Sequence, residues 1–369
     1  MIRFFRSLFL SSVFAVLAAT AANAASNLKD PTYAMNANET LYADLAKLSP
    51  DERYKRIVEG AAKEGGDFNL LHAIQGSLGV NHVNIFKKKY PSVKVSLSQL
   101  GSNEGMERLI IEERVGKHLT DIISSTELTE MTSALEHGLQ ARYPTPAKDR
   151  ILPQYRGFFD PHDRWLITHW SEQGMSYNYK LLKDEDAPKQ WPDLCNPKYK
   201  GQHSYEPIRT RFNFFLREMM GEEKAIEFMK CIGENDPILM KGQSQRVQLM
   251  LAGDHAIQGI NFFYLGTKLN HDNGDKAPFR AVYSAPVLAS GSGCLINTNT
   301  PNPYTSALYC DWNLDEEPQA FLKSQFRGAV TLPHAFLPAD VQLVPLLPPD
   351  LDTVNRINTA WAKYVQKRS

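Results

Sequence analysis

Residues 49–76 read SPDERYKRIVEGAAKEGGDFNLLHAIQG, and the reading of this run decides the fold. Ser49-Pro50-Asp51-Glu52 places an N-cap serine, a proline at the first helical position and a glutamate at the third, a capping box. Tyr54, Ile57, Val58 and Ala61 follow at helical spacing, and Gly65-Gly66 stops the helix. Phe68–His72 is then a short buried strand, followed by a polar loop through Gln75, Gly76 and Ser77. The same order repeats downstream. A helix with Val80, Val83 and Phe86 on one face ends at Tyr90-Pro91, and Val93–Leu97 is the next strand. Gly101-Ser102-Asn103-Glu104 caps a helix carrying Met106, Leu109 and Ile110, Asp121–Ser125 is a strand, and Leu128, Met131 and Leu135 mark a helix closed by Gly138. Strands alternating with helices through short loops predict an α/β fold with a mostly parallel sheet.

Tyr143–Asp163 is rich in proline, aromatics and charge and reads as a boundary. Beyond it come two expected strands, Trp165–Trp170 and Gly174–Tyr179, helices at Asn213–Met220, Glu222–Cys231 and Gln245–Ala252, and a strand at Ala256–Asn261. Phe279–Ser284 and Cys294–Asn297 read as further strands. The expected division is a first lobe of residues 25–128 plus about 278–320, and a second of about 165–272 plus the C-terminal helices. Residues 129–164 form the boundary segment between them. Two α/β units with more than one crossing of the chain imply lobes joined by strands and a ligand cleft between them.

Totals narrow the function. The 369 residues carry 41 Lys+Arg against 41 Asp+Glu, so no general field exists for gripping nucleic acid or anionic lipid. Arg3 and Arg6 precede the apolar run Leu8–Ala19, and Ala22-Asn23-Ala24 is an A-x-A site, the layout of a cleavable signal peptide at residues 1–24. The expectation is export to the periplasm as a monomer. In that oxidising compartment four cysteines form two bridges. Cys195/Cys231 and Cys294/Cys310 give the shortest loops, although three connectivities are open.

No catalytic pattern stands out: there is no G-x-S-x-G, H-E-x-x-H, P-loop or dinucleotide fingerprint, and the ten histidines are scattered. No enzyme activity, cofactor or resident metal is expected. What recurs is a polar loop between a strand and a helix, at Ala73–Ser77, Gly101–Glu104, Ser124–Thr126, Glu206–Arg211 and Lys241–Gln245. Such loops cap helices, and in open α/β sheets they also line ligand sites at the carboxyl ends of strands. Candidate ligand contacts are His72, which closes the first strand, then Gln75, Ser77, Ser102, Asn103, Ser125, Trp170, Arg209, Arg211, Gln243, Asn261 and Tyr264.

The segments Ile57–Gly65 (IVEGAAKEG), Phe86–Pro91 (FKKKYP), Glu113–Lys117 (ERVGK), Thr120–Ile123 (TDII), Tyr177–Leu181 (YNYKL), Ala187–Trp191 with Asp193-Leu194, and Pro197–Gly201 (PKYKG) occur in an order that resembles the family 1 extracellular solute-binding proteins of ABC importers, near the ferric-ion-binding branch. The resemblance spans roughly residues 50–325. It implies a type II periplasmic binding fold that closes on a small-molecule solute and presents it to an inner-membrane permease. Iron-binding relatives carry adjacent tyrosines after the strand matching Ala256–Asn261, because phenolate oxygens suit Fe(III). Here Asn261-Phe262-Phe263-Tyr264-Leu265-Gly266 keeps Tyr264 but has Phe263 in place of one tyrosine, so a paired-phenolate site cannot form at those two positions. An iron reading would need Tyr264 with Tyr205 or Tyr283. The favoured expectation is therefore a small polar, anionic or zwitterionic organic solute held by arginine forks and aromatic walls. The alternatives are ferric iron on the same fold, an exported enzyme, or a solute sensor.

Overall fold

The computed structural model describes residues 34–74, 76–125, 133–158, 160, 162–207, 210–346 and 351–367, and within these the side chains of Asn103, Phe158 and Leu351 are not described. The signal-peptide region, Gln75, Arg209, and Leu128 and Met131 of an expected helix lie outside the described residues. Two compact units result. The first runs to Thr168 and takes up Ser292–Ala320 and Val330–Leu332; the second comprises His169–Gly291, Phe321–Ala329 and the chain from Pro333 onward.

In the first unit, helix α1 (Ala37–Ala46) starts in a capping box between Asn36 and Glu39. Helix α2 (Pro50–Glu64) begins at Ser49, whose side chain accepts from the Glu52 amide, and ends on Gly65 in the left-handed region at φ 60°. Strand β1 (Asp67–His72), helix α3 (Gly76–Lys89), β2 (Lys94–Gln99), α4 (Ser102–Arg114) and β3 (Ile122–Ser125) follow as the alternation predicts. β1 pairs in parallel with β2 and β3, His72 standing opposite Gln99 and Ser124. Val80, expected on the inner face of α3, is exposed, and His82 is buried in its place beside Val83 and Phe86.

Asp121 holds this unit's far segments together. Its buried carboxylate accepts from the Asn69 amide (2.7 Å), the Thr300 hydroxyl (2.5 Å) and the Asn302 amide and side chain. Burial raises its pKa, opposed by these hydrogen bonds. The stretch read as a boundary is integral here. The Tyr143 hydroxyl, 2.6 Å from Arg53 Nη2, donates 2.8 Å to Asp311 of α9 (Pro303–Trp312), and Arg53 pairs with that same carboxylate.

A larger departure starts at the end of the first unit and runs into the second. Instead of two strands, β4 (Leu166–Asn178) is continuous, and all thirteen of its residues are buried. The polar run Ser171-Glu172-Gln173-Gly174 looks like a turn in sequence, but burial on both faces keeps it extended. β4 pairs antiparallel with β7 (Ile257–Phe262), with a bulge between Gly174 and Ser176, and with β8 (Phe279–Ala281) and β10 (Gly328–Ala329). β5 (His203–Tyr205) lies parallel to β7 and to β6 (Ile238–Leu239). β9 (Val287–Ile296) begins in this unit beside β11 (Leu343–Pro345) and ends in the first, antiparallel to β3. Residues 278–291, assigned from sequence to the first lobe, thus group with the second. Helices α5 (Thr210–Met220), α6 (Glu222–Glu234) and α11 (Leu351–Tyr364) pack on one another. Trp191, Phe212, Phe215 and Trp361 supply their buried aromatic core. Among the described residues no helix is long and apolar enough to cross a membrane.

Both short-loop disulfides are formed: Cys195–Cys231, with a separation of 36 residues, and Cys294–Cys310, with a separation of 16. Removing the second by a Cys294→Ser/Cys310→Ser double substitution is expected to cost about 3 kcal/mol in the chain-entropy account, read as a lower urea midpoint with an m-value that rises as the unfolded chain expands.

Candidate functional site

The first unit collects its candidates at the carboxyl ends of parallel strands, but their chemistry is largely engaged. His72 is buried at the end of β1, its Nδ1 accepting from the Ile74 amide at 3.0 Å, and its ring lies 6.0 Å from that of His82. Gln99 fills the loop above it, donating to the Ile74 and Gly76 carbonyls at 2.9 and 2.8 Å. Ser125 ends β3 fully buried, Ser102 opens α4 buried, and Ser77 in the first turn of α3 is exposed.

In the second unit, Asn261 and Gln243 belong to a buried polar chain. The Asn261 side chain donates to the Gln243 carbonyl (2.9 Å) and the Gln258 side chain (3.1 Å), and accepts from the Phe262 amide (2.8 Å). Gln258 in turn donates to the Arg246 carbonyl and reaches His255 Nε2, which also meets Ser204 Oγ. This network fixes the end of β7 against the start of α7 (Gln243–Ala252). Tyr205, an iron candidate, is fully buried on another face, stacked on Phe212 at 5.8 Å with Trp361 edge-on at 5.6 Å. It groups with that aromatic core rather than with Tyr264.

Where β7 gives way to helix α8 (Phe263–Asp272), side chains from several distant segments meet. Phe262 and Tyr264 stand 5.3 Å apart, and each carries an arginine over its ring, Arg211 over Phe262 at 5.6 Å and Arg327 over Tyr264 at 4.0 Å. Arg211 donates to Ser290 Oγ at 2.8 Å and Arg327 to Ser171 Oγ at 3.1 Å. Burial raises the Tyr264 pKa; Arg327 and Arg211 oppose this and Glu172 adds to it. Burial and then the Glu172 charge also raise the Tyr283 pKa. Glu172, fully buried, accepts from the Tyr264 amide at 2.8 Å and faces His334 Nε2 at 3.2 Å. Trp170 packs 5.0 Å from the His334 ring and donates to the Ala329 carbonyl.

Of the sequence-derived candidates, Trp170, Arg211 and Tyr264 therefore gather, with Tyr283 edge-on to the adjacent Phe263 ring at 5.5 Å, while Glu172, Ser290, Arg327 and His334 were missed. Ser171 and Glu172 lie between the two strands expected from sequence, and Arg327 and His334 lie in a stretch without periodicity. Phe263 explains itself by packing. It is fully buried, and a Cβ on Gly174 would come within 2.4 Å of its ring carbon Cζ. Position 263 thus points into β4, where a phenol oxygen has no room.

Residues 117–282 match the family model of bacterial extracellular solute-binding proteins. The fold is that of the periplasmic binding proteins. Iron-bound HitA from Pseudomonas aeruginosa, another protein of this periplasmic binding fold, aligns with a TM-score of 0.70 at 16% identity, covering 81% of this chain and 99% of its own. AfuA from Actinobacillus pleuropneumoniae, with exogenous fructose-6-phosphate bound, aligns with a TM-score of 0.63 at 20% identity, covering 82% and 99%. The Fe(3+)-binding periplasmic protein of Serratia marcescens is 24% identical over 289 residues, 73% of this chain and 83% of that protein. The match over residues 117–282 and the shared fold agree with the resemblance read from sequence.

Two outcomes follow for this unit of the periplasmic binding fold. Gly174→Ala or Phe263→Tyr should destabilise by about 1–3 kcal/mol through overpacking, measured by urea unfolding. Burial pushes the His203 imidazole down to about 4 from an ordinary 6.5. The stabilising neutral form is fully present above the unfolded value and is lost as pH falls towards 4. Unfolding at about pH 5 should therefore show a loss of up to about 2 kcal/mol relative to about pH 7 that His203→Gln removes.

Proposed function

We propose that the chain captures a small anionic organic solute, one bearing a carboxylate or phosphate group, at the start of α8 and passes it to a membrane permease. The observation that carries this reading is the pair of guanidinium groups laid over neighbouring rings, Arg211 on Phe262 and Arg327 on Tyr264. Stacking fixes the plane of each fork, and a planar fork suits the oxygens of a carboxylate or phosphate. The amide of Tyr264 is already taken by Glu172, so attraction for an anion at this helix start rests on the arginines.

The same geometry favours an anion over a zwitterion. Both oxygens of Glu172, the carboxylate of this cluster, are engaged, which leaves it unsuited to receiving an amine. The fructose-6-phosphate complex of AfuA is a precedent for an organic phosphate on this fold.

Ferric iron is the second reading. The phenols of Tyr264 and Tyr283 are oxygen donors of the kind expected to suit Fe(III), and HitA and the Serratia protein are iron binders by name. Against it, burial raises both phenols, and a phenolate ligand must first lose its proton.

Thermal-shift titration separates the two. Inorganic phosphate, sugar phosphates, di- and tricarboxylates and ferric citrate are each added to purified protein. A true ligand at 100 times its Kd should stabilise by about 2.7 kcal/mol. Arg211→Gln and Arg327→Gln should each weaken an anionic ligand about tenfold or more, since a charge-assisted hydrogen bond contributes about 1.5–3 kcal/mol. A visible iron–phenolate band that disappears in Tyr264→Phe would instead establish the ferric reading.

A further inference from the structure

Glu172 is an expensive group to place in the middle of a buried strand. Its side chain has no exposed surface, and that of His334 opposite it is 4% exposed. A carboxylate is drawn from water only where several donors meet it. Two donors do, and they arrive from distant parts of the second unit: the backbone amide of Tyr264, 92 residues away, and the imidazole of His334, 162 residues away.

The histidine's hydrogen-bonding assignment can be read from its surroundings. His334 Nδ1 faces the amides of Phe336 and Leu337 at 3.4 and 3.3 Å, so it is the accepting nitrogen. Nε2 then carries the hydrogen and directs it at Glu172. The ring is further held by Trp170 at 5.0 Å and by Phe336, edge-on at 4.5 Å. On the other side of the carboxylate, Tyr264 is the second residue of α8, and its amide is one that no intrahelical acceptor can satisfy. The neighbour of Glu172 on β4, Ser171, receives Arg327, whose guanidinium lies on the Tyr264 ring.

We infer that Glu172, linked to His334, is the positioning residue of the anion site. It touches no solute. One oxygen fixes the start of α8 and with it the ring on which Arg327 lies; the other pins the segment that follows β10. This inference rests on the proposed anion-binding reading for its functional consequence, but its structural content stands apart from it. Opposite the Nε2–H of His334, a glutamine could not do the same work. A glutamine side chain in place of Glu172 keeps an oxygen for the Tyr264 amide but turns its NH2 towards the Nε2–H of His334, donor against donor. A second glutamine in place of His334 restores the match, because its carbonyl can accept from that NH2.

The test is a cycle of Glu172→Gln, His334→Gln and the double variant. It is read by amide hydrogen exchange in full-length protein and by inorganic phosphate affinity from calorimetry, with thermal unfolding as the control for folding. Glu172→Gln should speed exchange across residues 331–337 about tenfold while the Tyr264 amide stays protected, and should weaken phosphate about tenfold. The double variant should return both to within about threefold of the original protein. Glu172→Ala, which removes both acceptors, should speed exchange at both segments. Unchanged exchange in Glu172→Gln, or a double variant no better than that single one, overturns the inference. Should the original protein fail to bind phosphate or any other anion, the functional reading falls while the exchange cycle still decides the positioning role.

Discussion

Burying a thirteen-residue strand without interruption is the constraint from which the second unit follows. Leu166–Asn178 passes through the interior along its whole length, so each polar side chain on it must find a partner from elsewhere. Ser171 takes a guanidinium, Glu172 takes a helix start and an imidazole, and Gly174 leaves the space that the Phe263 ring occupies. These demands select what surrounds the strand. The turn from β7 into α8, the position of Arg327 beside β10 and the placing of His334 each answer a requirement set by one β4 residue. A carboxylate left without its donors there would cost several kcal/mol, which is comparable with the net stability of a domain.

The first unit solves a similar problem with a different result. Asp121 is as deeply buried as Glu172 and is also met by donors from distant segments, among them Asn69, Thr300 and Asn302. Those donors are neutral, and together they tie the loop before α9 to β1. Around Glu172 the neutral donors are joined by two guanidinium groups on adjacent rings. A buried carboxylate met by amides and hydroxyls acts as a fastening. The same kind of group beside two cations stacked on rings builds the cluster on which the proposed site rests.

Local signals carried much of the fold. The serine cap, the proline after it and the glycine stop bounded α2 as read, and strand–helix alternation gave the parallel β2-β1-β3 arrangement because each of those elements is specified by its own residues. The continuity of β4 was not legible. Ser-Glu-Gln-Gly has the composition of a turn, and the groups that make it a strand lie 92 to 162 residues away. The site divides in the same way. Trp170, Arg211 and Tyr264 of this cluster were named from residue type and nearness to strand ends, and Tyr283 only as a partner for Tyr264 in an iron site. Arg327 and His334 could not be, since they follow the last sequence-defined strand and take their meaning from β4. Asn261 looked like a ligand group because it is polar and lies beside a strand–helix loop, yet its side chain is spent on the Gln243 backbone carbonyl, the Gln258 side chain and the Phe262 amide.

The balance of 41 basic and 41 acidic residues excluded a long-range field, so the anion affinity proposed for this cluster has to be generated over a few ångströms. Stacking does this at low entropic cost. A free arginine in water samples many rotamers and loses them on meeting a ligand, whereas Arg327, already on the Tyr264 ring and bonded to Ser171, has lost them during folding. Arg211 is fixed in the same manner by Phe262 and Ser290. The phenylalanines at 262 and 263 then have separate meanings. Phe262 offers a face for a cation, while Phe263 fills the space above Gly174, and a tyrosine at 263 would put an oxygen into the sheet instead of into a ligand site. Loss of one phenol from the paired-tyrosine pattern is thus coupled to the packing of β4. An aromatic pair at 262 and 264, with a cation on each ring, occupies the turn where iron binders of this branch are expected to present two phenolates.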